Sequence, residues 1–377
     1  MPLVALVRRR PLHLEAPEFR FLGSWLEAEA RAVFGEVAWA PLEESALELL
    51  ASRPESEPVL VVEDDLLTTR RSLAAMAAAL ASGADWSAPA AVAEALAPLD
   101  RSGPVHTLRG FEQVEAAALE RPALLAGLAP RPLPASLWRN GALAWAAAAA
   151  GSLAAALERP VVLGATAGLA HHFTGYYGHR RDDIAPLLPE RPGEVLEIGC
   201  GDGATGEWLE RSYGCRVTGV ELNPVAAAIA AGRIHRVIAA DVETVELGGR
   251  FDFVIALELF EHLTRQEAFL ERMRGLLAPG GALLLSVPNV GHGAVVEDLI
   301  AGRFDYLPVG LLCYTHYRFF TRAALERWFE RCGFSRVEIV PQPLAPPAGL
   351  VERLEAAGLE VDRASLATGG FFVLARI

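Results

Sequence analysis

Val195-Leu196-Glu197-Ile198-Gly199-Cys200-Gly201-Asp202-Gly203 is the stretch that decides how this chain folds. The apolar run Glu194 to Ile198 has the length and composition of a buried parallel strand. It breaks into three glycines at alternate positions, and Ala204-Thr205-Gly206-Glu207-Trp208-Leu209-Glu210 follows as a helix start. A strand, a glycine turn and a helix N-terminus make a place where backbone can touch a ligand, because glycine has no side chain to hold it off. Glu197 is expected at the strand end facing that turn. A carboxylate there suits a ligand carrying an ammonium group better than a phosphate.

The glycines alone leave two readings open. Gly201, Gly203 and Gly206 also satisfy G-x-G-x-x-G, a spacing that receives a pyrophosphate in dinucleotide-binding folds. The residues downstream decide between them. Arg216 to Glu221 reads as a second strand ending in an acid, Val237 to Val242 as a third carrying Asp241, and Phe251 to Leu257 as a fourth. The fourth runs into Glu258-Leu259-Phe260-Glu261-His262-Leu263. This ordered set resembles the class I S-adenosylmethionine (SAM)-dependent methyltransferases, in the branch with an E-x-x-E-H-L segment after the fourth strand. The likeness covers about half the chain, from roughly His171 to the C-terminus.

The resemblance implies SAM as cofactor and assigns its contacts residue by residue. Glu197, Gly199, Gly201 and Gly203 would meet its methionine end. Glu221 would accept both ribose hydroxyls, and Asp241 would reach the adenine amino group with Val242 adding a backbone contact. Leu257 and Glu258 would line the methionine side. Upstream, His171 to Asp183 holds an aromatic-plus-arginine segment. There Tyr177 would pack near the sulfonium, and Arg180 or Arg181 would pair with the cofactor carboxylate. Capping of the following helix is the structural alternative for Glu221 and Asp241.

Glu258, Glu261 and His262 are spaced i, i+3, i+4 and share one face if the segment is helical. Some ubiquinone-pathway O-methyltransferases resemble this segment and present such a face to a divalent ion. Most of the wider branch carries the same letters without one, and no metal ligand is assigned here. Glu261 and His262 are therefore candidates for acid–base work at the acceptor, with a structural histidine as the alternative. His292, in the loop Pro288 to Gly293, and His316, in Tyr314-Thr315-His316-Tyr317-Arg318-Phe319-Phe320-Thr321, fall where the family places its acceptor. The latter stretch resembles an H-x-R-F-F-T element of methyltransferases in bacterial glycan and lipid biosynthesis. Phe319 and Phe320 are expected in the core, with Thr321 capping the helix Arg322 to Cys332. The strands that complete the sheet are Ala282 to Val287, Arg336 to Val340 and Gly370 to Arg376. A helix Ala348 to Ala357 precedes the last, which the resemblance implies is antiparallel at the sheet's far side.

Composition narrows the rest. The chain has 377 residues, 52% of them apolar and a net charge of −13, which argues against a nucleic-acid partner. It contains no lysine, which excludes Schiff-base chemistry and any P-loop lysine. Cys200, Cys215, Cys313 and Cys332 form no C-x-x-C pair and read as reduced thiols of a cytoplasmic protein. The arginine-, alanine-, leucine- and proline-rich usage suits a GC-rich bacterial genome. No signal peptide is recognised after Arg8 to Arg10. The alanine-rich run Gly141 to Leu157 is expected to be a buried or bridging helix, not a membrane span.

Before residue 168 or so, strands and helices alternate: Leu3 to Val7, Phe21 to Phe34, Val37 to Trp39, Leu42 to Ala51, Pro58 to Asp65, Thr69 to Ala81 and Pro160 to Gly164. That pattern argues an open α/β sheet. The strand ending Glu63-Asp64-Asp65 faintly resembles GT-A-like nucleotide-sugar enzymes, although their glycine-rich first loop is replaced by Val7-Arg8-Arg9-Arg10-Pro11. An acidic N-cap for the next helix is the preferred reading of the three acids. The expectation is thus a two-domain α/β chain, residues 1–168 and 169–377, the second a Rossmann-like seven-stranded sheet. It would methylate an oxygen, or a nitrogen, of a small-molecule or sugar-like acceptor. An NAD-dependent oxidoreductase and a non-catalytic SAM-binding scaffold are the alternatives.

Overall fold

A computed structural model of the chain describes residues 3–8, 17–41, 58–63, 66–67, 69–81, 86–94, 131–132, 144–147, 160–170, 176–307 and 310–377. They fall in two compact units, the second of which takes in Thr174–Ile377. No described helix is long and apolar enough to cross a membrane.

The first unit is built from β1 (Leu3–Arg8), α1 (Pro17–Phe34), β2 (Val37–Pro41), β3 (Pro58–Glu63), β4 (Leu66–Leu67), α2 (Arg70–Ala81), β5 (Trp86–Glu94), β6 (Arg131–Pro132), β7 (Ala144–Ala147) and β8 (Pro160–Ala170). The strands join in the order β2-β1-β3-β7-β5-β8-β4, with β6 paired to β8. One expectation changes. Ala144–Ala147, inside the alanine run expected as a helix, is a strand antiparallel to β3 and β5. Alanine's helical preference over most other residues is only a few tenths of a kcal/mol per residue, so a slot between two strands overrides it. The acidic cap expected of Glu63-Asp64-Asp65 falls largely on residues outside those described. α2 starts at Arg70, whose backbone N–H donates to Glu29 Oε2 of α1 at 2.6 Å while its guanidinium pairs with the same carboxylate at 2.8 Å. Asp64, Asp65 and Leu42 to Ala51 lie outside the described residues.

The second unit contains β9 (Glu194–Ile198), α3 (Ala204–Tyr213), β10 (Arg216–Glu221), α4 (Pro224–Ala230), β11 (Arg236–Ala239), β12 (Phe251–Leu257), α5 (Gln266–Leu276), β13 (Leu277–Pro288), α6 (Gly293–Ile300), α7 (Arg322–Arg331), β14 (Arg336–Pro343), α8 (Leu350–Ala356), α9 (Arg363–Leu366) and β15 (Thr368–Arg376). Their order is β11-β10-β9-β12-β13-β15-β14. β9 to β13 run parallel, and β15 pairs antiparallel with both β13 and β14. The parallel strands are apolar on both faces, as helices on both sides demand. Leu196, Ile198, Val254 and Ala256 pack with Phe269, Leu270 and Met273 of α5 and Leu325 and Phe329 of α7. Val195, Val217, Phe253 and Ile255 pack with Leu209 of α3.

The sequential order of the parallel strands switches sides between β9 and β12, so the carboxyl ends of those strands open a crevice there. The last strand is not at the far side: it inserts between β13 and β14, leaving β14 as the edge. β14 also runs on through Pro341 to Pro343, which an edge strand tolerates because proline's missing N–H faces no partner. The helix α6 has no counterpart in the sequence expectations.

Candidate active site

The glycine turn is shaped by protein contacts. Gly199, Gly201 and Gly203 have φ of +71°, +55° and +85°, which side-chain-bearing residues rarely adopt. A Cβ on Gly201 would lie 2.2 Å from the Tyr177 carbonyl oxygen, which accepts the Asp202 N–H at 2.8 Å. The segment upstream of β9 therefore lies directly against the turn, and backbone needs the space that Gly201 leaves.

Gly206, the last glycine of the G-x-G-x-x-G spacing, has a different task. Its missing Cβ would sit 2.7 Å from Glu197 Oε2. Glu197 is thus buried beneath α3, which corrects the expectation that it faces the turn. Burial pushes its carboxyl up to about 8. The Glu221 and Asp202 charges add to the shift, and the Gly206 amide opposes it. Oε2 has no well-formed hydrogen bond. The group is neutral through most of the physiological range.

At the end of β10, Glu221 Oε2 accepts the Gly201 N–H at 2.9 Å and Oε1 accepts the Asn223 N–H at 2.8 Å. The carboxylate staples the turn to the neighbouring strand. Beside it Leu222 is 68% exposed, a position the sequence analysis missed. The signal was present: a leucine wedged between Glu221 and the helix-capping Asn223 has no core position. Asp241 lies beyond β11, which stops at Ala239, and its Oδ1 accepts the Glu243 N–H at 2.8 Å. It heads a tight turn with Val242 buried behind it. Local capping occupies one of its oxygens.

Beyond β12 the expected helical face does not form. Leu257 is half-buried, Glu258 has φ +49°, and only Phe260–His262 makes a short 3₁₀ turn. Ser286 Oγ accepts the Glu258 N–H at 2.8 Å and donates to Glu258 Oε1 at 2.6 Å. Arg181 Nη1 lies 3.5 Å from the same oxygen, while its Nε donates to Asp183 at 2.9 Å. Arg181 is buried over the Phe372 ring, whereas Arg180 is exposed and paired with Asp182. Of the two arginines, Arg181 belongs to the site. Ser286 was missed, although a lone serine in Ala282-Leu283-Leu284-Leu285-Ser286-Val287 is itself a signal.

Glu261, His262 and His316 gather where Glu258 does not: one ligand-capable atom from each lies within 4.8 Å of the others. Glu261 is fully buried, and neither carboxylate oxygen has a hydrogen-bond partner. His316 Nε2 approaches Glu261 Oε1 at 3.9 Å, and the two imidazoles meet edge to face at 4.7 Å. The Tyr317 N–H donates to the Glu261 carbonyl at 2.9 Å, which ties the two segments together. Burial drives His262 down to about 4 and, with His262 adding to it, His316 to about 3. Burial raises the Glu261 carboxyl well above the usual range, with Glu258 adding to it.

His292 stands apart from this group. Its buried ring caps α6, Nδ1 accepting the Ala294 N–H at 3.2 Å. An imidazole so used is a structural cap, which corrects its candidacy as a catalytic group. Phe320 is core, as expected. Phe319 instead touches His316 at 6.3 Å between ring centroids and continues to Phe304 and Tyr306, both partly exposed. Thr321 holds the N-cap position of α7 without a side-chain hydrogen bond.

A family model described as a methyltransferase domain matches residues 169–339. A ubiquinone biosynthesis O-methyltransferase of Nitrobacter winogradskyi is 33% identical over 156 residues, which are 38% of this chain and 57% of that protein. One from Pseudomonas aeruginosa (strain UCBPP-PA14) is 31% identical over 180 residues, 42% of this chain and 75% of the relative. The chain thus spans little more than half the length of the first relative. Among solved structures, a SAM-dependent methyltransferase from Archaeoglobus fulgidus aligns over 54% of this chain and 98% of its own, at 17% identity and a TM-score of 0.41.

Proposed function

This chain belongs to the SAM-dependent methyltransferases, and we propose that it methylates an oxygen of a small, ring-bearing acceptor, sugar-like or aromatic. One observation carries the proposal. The carboxyl ends of β10, β11 and β12 lead into Glu221, Asp241 and Glu258 around a tight glycine turn, and Glu261, His262 and His316 cluster one turn further on. The residues fit the cofactor: acids for hydroxyls and a cation, and the exposed Leu222 beside Glu221 for an apolar base. SAM, when bound, supplies an electrophilic methyl group on a sulfonium.

The residues have separable tasks. Glu221, at the end of β10, accepts ribose hydroxyls, since one carboxylate can take several donors. Asp241 and the Val242 backbone receive the adenine edge. Tyr177, Arg181, Leu257 and Glu258, with Gly199, Gly201 and Gly203, surround the amino-acid end, where Glu258 offers a half-exposed carboxylate to positive charge. Glu197 acts from beneath, keeping a neutral group under the turn. At the acceptor end the partly open His262 meets the reacting hydroxyl, with Glu261 and His316 positioning its ring.

Oxygen is preferred over nitrogen as acceptor because the relatives at 31–33% identity are named O-methyltransferases. The aromatic file of Phe319, Phe304 and Tyr306 beside His316 favours a ring. A place in glycan, lipid or natural-product tailoring follows from such an acceptor. Calorimetry with SAM, S-adenosylhomocysteine and NAD, run in parallel on the full chain, tests the assignment. Saturable binding of the first two and none of the third is expected. Binding of NAD alone would move the chain to the oxidoreductases.

A further inference from the structure

We propose that Arg272 is a positioning residue for the adenine of the cofactor, acting through the peptide group that orients the Asp241 carboxylate. The inference rests on the cofactor assignment above. The residue it names lies on α5, away from the strand ends to which the ligand contacts are assigned.

The loop after β11 is held from behind. Asp241 opens a single tight turn: its Oδ1 accepts the Glu243 N–H at 2.8 Å, and its carbonyl accepts the Thr244 and Val245 N–H groups at 3.1 and 2.9 Å. The carbonyls of that turn go to two arginines. Arg272 Nη1 donates to the Val242 carbonyl and Nη2 to the Val245 carbonyl, each at 2.6 Å. Arg265 Nη2 donates to the Glu243 carbonyl at 2.7 Å. The Glu243 carboxylate, in turn, accepts the Thr264 hydroxyl at 2.9 Å and the Arg265 N–H at 2.7 Å.

One peptide group carries the argument. The unit joining Val242 to Glu243 is gripped at both ends, its carbonyl by Arg272 and its N–H by Asp241 Oδ1. A peptide is planar and trans, so fixing the direction of the carbonyl fixes that of the N–H. A guanidinium on the carbonyl also polarises the N–H into a better donor. Arg272 thereby commits Oδ1 to the loop and sets the plane of the carboxylate, and the adenine amino group falls to Oδ2. Without the guanidinium the peptide can rotate, and the carboxylate with it.

Anchoring and orientation are separate tasks in this loop. The Val242 side chain is buried in the core, and Glu243 keeps its own ties to Thr264 and Arg265, so the loop stays attached without Arg272. Arg272 is half-buried, and water can reach the two carbonyls once it is gone. Its removal therefore disturbs the aim of Asp241 more than the fold. The two bonds use different nitrogens of a planar fork, a geometry that a lysine ammonium does not reproduce.

The test is calorimetry on the full chain with S-adenosylhomocysteine and with S-inosylhomocysteine, in which an oxo group replaces the adenine amino group. Wild type should prefer the adenine ligand by at least about tenfold, because the oxo group leaves the carboxylate without its donor. Arg272→Met, which keeps the apolar stem, should weaken the adenine ligand at least about fivefold and the inosine ligand less than about twofold. Arg272→Lys should fall between. No preference in the wild type, an unchanged preference in Arg272→Met, or equal weakening of both ligands would overturn the proposal, the last being what a general loss of structure gives. If urea unfolding shows that Arg272→Met does not fold, amide exchange on the unliganded wild type decides. The Glu243, Thr244 and Val245 amides should be protected before any ligand is added, and protection that arises only with S-adenosylhomocysteine would refute a preset loop. Wild type that binds neither ligand removes the cofactor assignment and this inference with it. S-adenosylhomocysteine binding that is indifferent to Arg272→Met removes the inference alone.

Discussion

Glu197 makes the protein's stability depend on pH in a direction opposite to that of ordinary carboxylates. Its carboxyl titrates at about 8 in the fold and near 4.5 in the open chain, principally because burial beneath α3 disfavours the charge. Between those values the folded state holds a proton that the unfolded state has released. Stability on this account is complete below pH 4.5, falls as pH rises, and is lost above pH 8. The displacement of about 3.5 units (8 less 4.5), at about 1.36 kcal/mol each, amounts to about 5 kcal/mol across the window. That is comparable with the whole folding free energy of many domains.

The perturbation is Glu197→Gln, which keeps the shape and removes the titration. Other groups in the window must be separated from it. His262 and His316 are held neutral by burial, so their contribution runs the other way: it is present above the imidazole's ordinary value and lost as pH falls toward 4 and 3. Subtracting variant from wild type leaves Glu197. Urea unfolding of the full chain at pH 5.5, 7 and 8.5 should show wild type losing several kcal/mol more than Glu197→Gln over that range. Equal pH slopes in the two proteins would refute the claim that the buried carboxyl is neutral.

Further outcomes follow from single contacts. Gly201→Ala drives a Cβ onto the Tyr177 carbonyl in a conformation alanine disfavours, so SAM affinity should fall at least tenfold by calorimetry, with faster amide exchange at Asp202. His292→Ala removes the α6 cap and should cost about 1 kcal/mol in urea unfolding while turnover stays within twofold. Ser286→Ala strips Glu258 of two hydrogen bonds and should destabilise by about 1–3 kcal/mol, with KM for SAM rising more than kcat falls. Glu29→Ala should melt the start of α2, seen as lost amide protection at Arg70 with SAM affinity unchanged.

Much of the second unit was legible because its determinants are local. β9, β10 and β12 were bounded within a residue, and the start of α3 was placed, by an apolar run and a glycine turn, each acting over a few positions. The resemblance likewise pointed to Glu221, the last residue of β10, and to Asp241, just past the end of β11. What stayed hidden depends on a partner distant in the chain. No spacing rule tells that Gly206 makes room for Glu197, or that an imidazole in the loop after Pro288 is spent on a helix cap. In the first unit alanine misled for the same reason: its small propensity gives way wherever a sheet has a slot to fill.

Glu258 to His262 shows how one backbone torsion redistributes chemistry that spacing alone would assign. Read as a helix, the segment puts two carboxylates and an imidazole on one stripe. With Glu258 at +49°, the first acid swings to Ser286 and Arg181, while Glu261 turns inward to His316. A left-handed glutamate is strained, and one hydrogen bond donated to a buried serine with one accepted from it offset that strain. Five consecutive residues thereby serve two sites of opposite need: a half-exposed anion for a cationic ligand, and a buried carboxyl beside two imidazoles. The serine that enforces the division lies on the adjacent strand, which is why the division appears only once the sheet has formed.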